Sequence, residues 1–106
     1  MSREIIIGFL GCGNVGSGVW RLLEGFGPEI EHRAGLKFTV KKVLVRDLTR
    51  QRGIAFPQGV LTANPDDVLG DPEIQIVVEF LGGEEPAYSL MLRALNAGKT
   101  VVTANK

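Results

Sequence analysis

The chain has 106 residues, 44% of them hydrophobic, and its 12 basic and 12 acidic side chains cancel to zero net charge. That length suits one domain, residues 1–106, with a modest buried core, and the apolar fraction excludes a disordered chain. No long basic stripe with interleaved aromatics is present, so nucleic acid is a poor candidate partner. The single cysteine, Cys12, excludes an intrachain disulfide and gives no sign of an oxidising compartment.

The first element is the most informative. Ile5–Leu10 is an apolar run that ends in Gly11-x-Gly13-x-x-Gly16, and Val15, Val19, Leu22 and Leu23 follow at helical spacing. A strand that feeds a glycine turn opening a helix is the context of a dinucleotide-binding fingerprint. In that reading Gly11 permits the tight turn, Gly13 lets backbone approach a pyrophosphate, and Gly16 lets helix lie close to strand. The first amides of the helix, from Asn14 and Val15 onward, lack intrahelical acceptors and sit at the positive end of the helix dipole. No acidic residue occurs between Glu4 and Glu24 to compete with a bound anion. The plainer alternative is a glycine turn that only packs a helix on a sheet. The uncharged stretch from Ile5 to Trp20 is too short for a membrane span and is broken by five glycines, so a cytoplasmic protein without a membrane partner is expected.

Further along, Gly25-Phe26-Gly27-Pro28 reads as the end of the first helix, with a polar connection carrying His32 to Gly35. Phe38–Val45 reads as the second strand, Arg46–Gly53 as a loop with a helical turn, and Gly59–Thr62 as a short edge strand. Asn64-Pro65-Asp66-Asp67 combines a cap residue, an early proline and acids facing the dipole, which predicts a short helix ending near Gly70. Ile74–Leu81, apolar on both faces, reads as a buried parallel strand, although Glu79 interrupts it and its role is open. Glu84-Glu85-Pro86 should start a helix lined by Ala87, Leu90, Met91, Ala94 and Leu95 and closed by Asn96-Ala97-Gly98. A last strand covers Thr100–Thr103. The alternation predicts an α/β fold, a doubly wound parallel sheet with Ile5–Leu10 and Ile74–Leu81 at its centre. A six-stranded version needs another strand after Thr103, so the chain reads as the front piece of a longer enzyme, truncated before a substrate domain.

Three features converge beyond the carboxyl ends of the central strands: the Gly11–Gly16 turn, Leu81-Gly82-Gly83, and Thr103-Ala104-Asn105-Lys106. Gly82 and Gly83 could admit a nicotinamide or ribose, or could simply be a flexible turn. Arg46, first after the second strand, favours a 2′-phosphate and hence NADP, whereas Asp47 could serve the ribose of NAD. A solvated Arg–Asp pair is the alternative. Lys106 is the candidate catalytic group: beside a cationic nicotinamide it could exchange a proton with an alcohol, although by position alone it is a solvated end. Cys12 reads as a packing residue, Trp20 as core edge, and no metal site is expected.

At these residues the chain resembles the N-terminal part of homoserine dehydrogenase. The resemblance runs through Gly8–Val19, Val45-Arg46-Asp47 and Ile76–Lys106, the last being the most specific block. It implies a Rossmann-type NAD(P)-binding domain of an enzyme that interconverts L-homoserine and aspartate 4-semialdehyde on the route to threonine and methionine. It places Arg46 at the 2′-phosphate and Leu81, Gly82, Thr103 and Lys106 around the nicotinamide half. Asn14 stands where the family often has threonine, and both can cap a helix. A homo-oligomeric parent is implied. Two other readings stand beside it: the front domain of another amino-acid or semialdehyde dehydrogenase, and a regulatory nucleotide-sensing module without chemistry.

Overall fold

A computed structural model describes residues 3–50, 53–82 and 85–104. Five strands form one all-parallel sheet: β1 (Arg3–Leu10), β2 (Leu36–Leu44), β3 (Leu61–Thr62), β4 (Ile76–Glu79) and β5 (Thr100–Thr103), in the order β3-β2-β1-β4-β5. Helices α1 (Asn14–Ala34), α2 (Asp66–Leu69) and α3 (Ala87–Asn96) occupy the crossovers. This is the doubly wound arrangement expected, with β1 and β4 adjacent at the centre.

Alternation along β1 divides the core. Ile5, Ile7 and Phe9 face α1 together with Trp20, Val43, Val45 and Phe80. Ile6 and Leu10 face the other way, against Val68 and Leu69 of α2 and Leu90 and Ala94 of α3. Gly8 lies on this second face, where an added Cβ would stand 2.7 Å from Val68 Cγ1. Its missing side chain is what lets α2 sit down on the sheet. On the first face Phe9 and Phe80 meet edge-on at 4.9 Å, and Trp20 meets Phe56 at 4.7 Å. Trp20 is therefore buried core, further in than the core edge expected for it.

The helices differ from the sequence reading in three places. The first helix does not stop at residues 25–28; α1 continues through Pro28 to Ala34 and ends at Gly35, whose φ of 69° makes the left-handed stop. Proline removes one helical hydrogen bond, but Glu24 and Pro28 are exposed, so water can satisfy the freed carbonyl. The inward stripe is Gly16, Trp20, Leu23, Gly27 and Ile30, at helical spacing, while Val15 and Leu22 lie on the exposed flank. His32 is exposed, in the last turn of this helix and not in a connection. In α3, Leu95 is turned outward at 56% exposure, and the buried positions are Ala87, Leu90 and Ala94.

Strand bounds shift as well. β2 begins two residues earlier than expected, and β4 is confined to 76–79. Within β2 the register against β1 slips: Ile7 pairs with Val40 but Gly8 with Lys42, leaving Lys41 as a bulge. The bulge reverses side-chain parity, so Phe38 and Val40 before it and Val43 and Val45 after it all face α1. Lys41 turns to Asp71 and Glu73, 2.6 Å from each, and raises its own pKa through those bonds while lowering that of Asp71. The cap residue of α2 is Pro65, one position later than expected, and the Asn64 Oδ1 accepts the Asp66 N–H at 3.0 Å just ahead of it. No helix among the described residues is long and apolar enough to cross a membrane.

Candidate functional site

The crossovers leaving β1 and β4 run to opposite faces of the sheet, which opens a crevice beyond the carboxyl ends of these neighbours. A cleft of about 300 Å³ lies there. Gly11, Cys12 and Gly13 form one wall, Val45, Arg46, Asp47 and Arg50 the second, and Leu81, Gly82, Glu85 and Pro86 the third. The sequence reading brought Gly11, Gly13, Arg46, Leu81 and Gly82 to this place, and the structure puts them there. It also adds Arg50 and Glu85, which were read only as loop and helix start. Arg50 lies four residues past Arg46 in a basic loop, and that proximity was the available signal.

The three glycines have separable physical reasons. Gly11 sits at φ 89°, and an added Cβ would meet Leu81 Cδ2 at 2.8 Å, so both conformation and packing require glycine. Its N–H bonds the Leu44 carbonyl at 2.8 Å, tying the turn to the end of β2. At Gly16 an added Cβ would meet the Phe80 ring at 3.3 Å, which marks close helix–strand packing. Gly13 differs. Its φ of −85° suits any residue, and an added Cβ meets no atom within 4 Å. Neither conformation nor packing accounts for glycine at this position, and the space its side chain would fill lies at the mouth of α1.

Gly13, not Asn14, is the cap residue of α1, and no side chain caps it. This corrects the expectation that Asn14 caps. Asn14 already has helical geometry, one residue too late for the role. The first intrahelical bond runs from the Ser17 N–H to the Gly13 carbonyl, so the Asn14, Val15 and Gly16 amides precede the helical ladder. Val15 is 61% exposed at this end. The first turn contains no acid. An anion meets backbone donors and the positive end of a 21-residue helix here.

Arg46 directly follows buried Val45 and is exposed on the cleft wall. Asp47 also lines this wall, and its Oδ1 accepts the Thr49 N–H at 2.9 Å and the Thr49 hydroxyl at 2.6 Å. The carboxylate thus fastens its own loop. Glu85 likewise caps α3, accepting the Ser89 N–H at 2.9 Å, because Pro86 has no side-chain acceptor to offer. Cys12 is half-buried with Sγ 3.7 Å from Ser17 Oγ, consistent with packing. Thr103 ends β5 in register with Glu79. Gly83, Glu84, Asn105 and Lys106 lie outside the described residues.

The family profile described as homoserine dehydrogenase, NAD binding domain, matches residues 11–106. Homoserine dehydrogenase of Bacillus subtilis is 41% identical over 98% of this chain and 24% of its own length. The crystal structure of the Staphylococcus aureus enzyme superposes with a TM-score of 0.92 at 34% identity, covering 99% of this chain and 27% of that one. The structure of the Thiobacillus denitrificans enzyme gives 0.87 at 46% identity, covering 98% and 24%. The chain thus spans about a quarter of the length of the curated relatives it matches. With its sheet order, its glycine turn and this profile in agreement, the chain belongs to the family of the homoserine dehydrogenase NAD-binding domain.

Proposed function

We propose that the cleft binds NADP(H), with its pyrophosphate against the amides of Asn14, Val15 and Gly16 and its 2′-phosphate on Arg46. The observation that carries this reading is Gly13, a glycine that the protein's own atoms do not require and that a phosphate at the helix mouth does. Preference for the phosphorylated cofactor follows from the second wall. Arg46 offers a planar set of donors to a phosphate, and Arg50 adds positive charge beside it. Asp47, the residue that could instead accept bonds from a ribose, has its carboxylate engaged by Thr49.

The whole protein, on this reading, interconverts L-homoserine and aspartate 4-semialdehyde. The bound cofactor supplies hydride exchange, and this chain holds and orients it. Leu81, Gly82 and Thr103 flank the nicotinamide half, and the proton of the substrate hydroxyl is assigned to Lys106 on the resemblance alone. Isothermal titration of NADP⁺ and NAD⁺ into the wild-type chain and Arg46→Ala tests the cofactor assignment. Loss of one charge-assisted bond weakens NADP⁺ by about 1.5–3 kcal/mol and NAD⁺ much less. Equal losses for both cofactors would show that Arg46 does not read the 2′-phosphate.

A further inference from the structure

The two faces of β4 are unequally covered. Val77, on the side of α2 and α3, has no exposure, whereas Ile76 and Val78, on the side of α1, are only half-buried. Val102 of β5 pairs with Val78 and so faces the same way, at 48% exposure. Among the described residues, the α1 side of the sheet is thus left partly open over β4 and β5.

The first helix leans away from these strands. Trp20 packs with Val43, Val45 and Phe56, and the Arg21 Nη2 donates to the Gly53 carbonyl at 3.4 Å. Both contacts lie on the half of the sheet that holds β2 and β3. The opposite flank of α1 therefore borders the open strands. It carries Val15, Leu22 and Phe26 at helical spacing, each more than half exposed. No charged residue stands on that flank between Val15 and Phe26. Apolar side chains of one helix and two strands thus share a single surface, the mark of a contact face.

Width and topology say what covers it. Strands lie about 4.8 Å apart, so two of them leave a strip about 10 Å wide, the spacing of one helix packed beside another. That helix is not the next crossover. From β4 to β5 the chain moves outward with α3 on the far face, as a right-handed crossover requires. A connection from β5 to a further strand outside it would run on that far face again, beside α3. The strip beside α1 is left for chain from farther along, and this chain spans only about a quarter of the length of its curated relatives.

We infer that an apolar helix from the later part of the whole protein, beyond the strand that follows β5, docks across Leu22, Phe26 and Val102. Docked there, it fastens the rest of the polypeptide to α1, the helix whose N-terminus opens on the cleft. The inference is independent of which dinucleotide the cleft takes.

Hydroxyl-radical footprinting read by mass spectrometry compares the wild-type 106-residue chain with the wild-type whole protein. Phe26 should be oxidised about tenfold more slowly in the whole protein, as its exposure falls from 55% to the roughly 5% of a core side chain. His32, exposed on the side of α1 opposite the inward stripe, should react alike in both. A benzophenone amino acid in place of Phe26 then identifies the occupant. Ultraviolet irradiation of the whole protein should give an adduct within one chain, to a segment beyond the strand after β5.

Equal oxidation of Phe26 in the two proteins overturns the inference. An adduct that joins two copies also overturns it, because the occupant is then a second subunit. So does an adduct to the stretch directly after residue 106, which makes the occupant the crossover. If the benzophenone variant fails to fold, dilution of the wild-type whole protein decides. Protection of Phe26 that fades on dilution belongs to a second copy and overturns the inference, and protection that persists supports it.

Discussion

Gly13→Val separates a glycine kept for a ligand from one kept for the fold. At Gly13 an added Cβ finds no protein atom within 4 Å, and φ is −85°. No packing contact opposes the side chain, and the gain of about 0.4–1 kcal/mol from a less flexible unfolded chain is offset by valine being a poorer cap residue than glycine. The stability of the variant should therefore stay within about 1 kcal/mol of wild type. Binding should not. The isopropyl group occupies the approach to the Asn14, Val15 and Gly16 amides, and each amide–phosphate bond lost removes roughly 1.5–3 kcal/mol. One lost bond weakens the dinucleotide by about tenfold or more, and two by about a hundredfold or more.

Gly16→Val is the internal contrast. Its Cβ starts 3.3 Å from the Phe80 ring, so valine must push α1 off the sheet, at a cost of about 1–3 kcal/mol. Urea denaturation reads stability and calorimetry reads affinity on the same samples. The reasoning is refuted if Gly13→Val binds NADP⁺ as wild type does. It is equally refuted if Gly13→Val loses stability as Gly16→Val does, for then Gly13 serves the fold.

Two further outcomes concern the scaffold. Gly8→Ala should cost about 1–2 kcal/mol, because its Cβ would stand 2.7 Å from the stiff, buried Val68 side chain; an unchanged urea midpoint would show that α2 can yield. Lys41→Met should lower stability at neutral pH by an amount that fades at both extremes. The folded pKa of Asp71 lies below its ordinary 3.8, so its share is present above that value and lost as pH falls through the folded one. The folded pKa of Lys41 lies above 10.5, so its share is present below that value and lost as pH rises through the folded one. Thermal melts of both proteins from acid to alkaline pH check this, and a difference that does not depend on pH would exclude the ion pair as its cause.

What the sequence made legible was local. Glycine spacing, strand hydrophobicity and the Gly98 signal each act within a few residues, and the fold follows them. The misreading at residues 25–28 came from treating glycine and proline as a stop. That rule fails where the freed carbonyl faces water and the inward stripe of Leu23, Gly27 and Ile30 keeps its spacing. The bulge at Lys41 was written in the parity change from Phe38 and Val40 to Val43 and Val45, a signal present but not used. The site was legible in its glycines and Arg46. Arg50, Glu85 and the bonds of Glu79 depend on segments brought together by the sheet, and no local pattern announces them.

The different character of the turns that follow β1 and β4 arises from one topological fact. β1 and β4 are parallel neighbours whose outgoing crossovers turn to opposite faces. Beyond β1 the chain enters a helix at once, so the first structure at the crevice is an N-terminus with amides ahead of the ladder. Beyond β4 the chain delays: residues 80–86 pass before α3 begins, and within that interval the Gly82 amide folds back onto Glu79. A helix starting at residue 80 would have presented a second set of donors and a second anion site. The buried carboxylate takes up one donor of this turn, the Gly82 N–H. An anion at the crevice then meets free backbone donors on the β1 side, at the mouth of α1, while the Gly82 amide on the β4 side is already engaged.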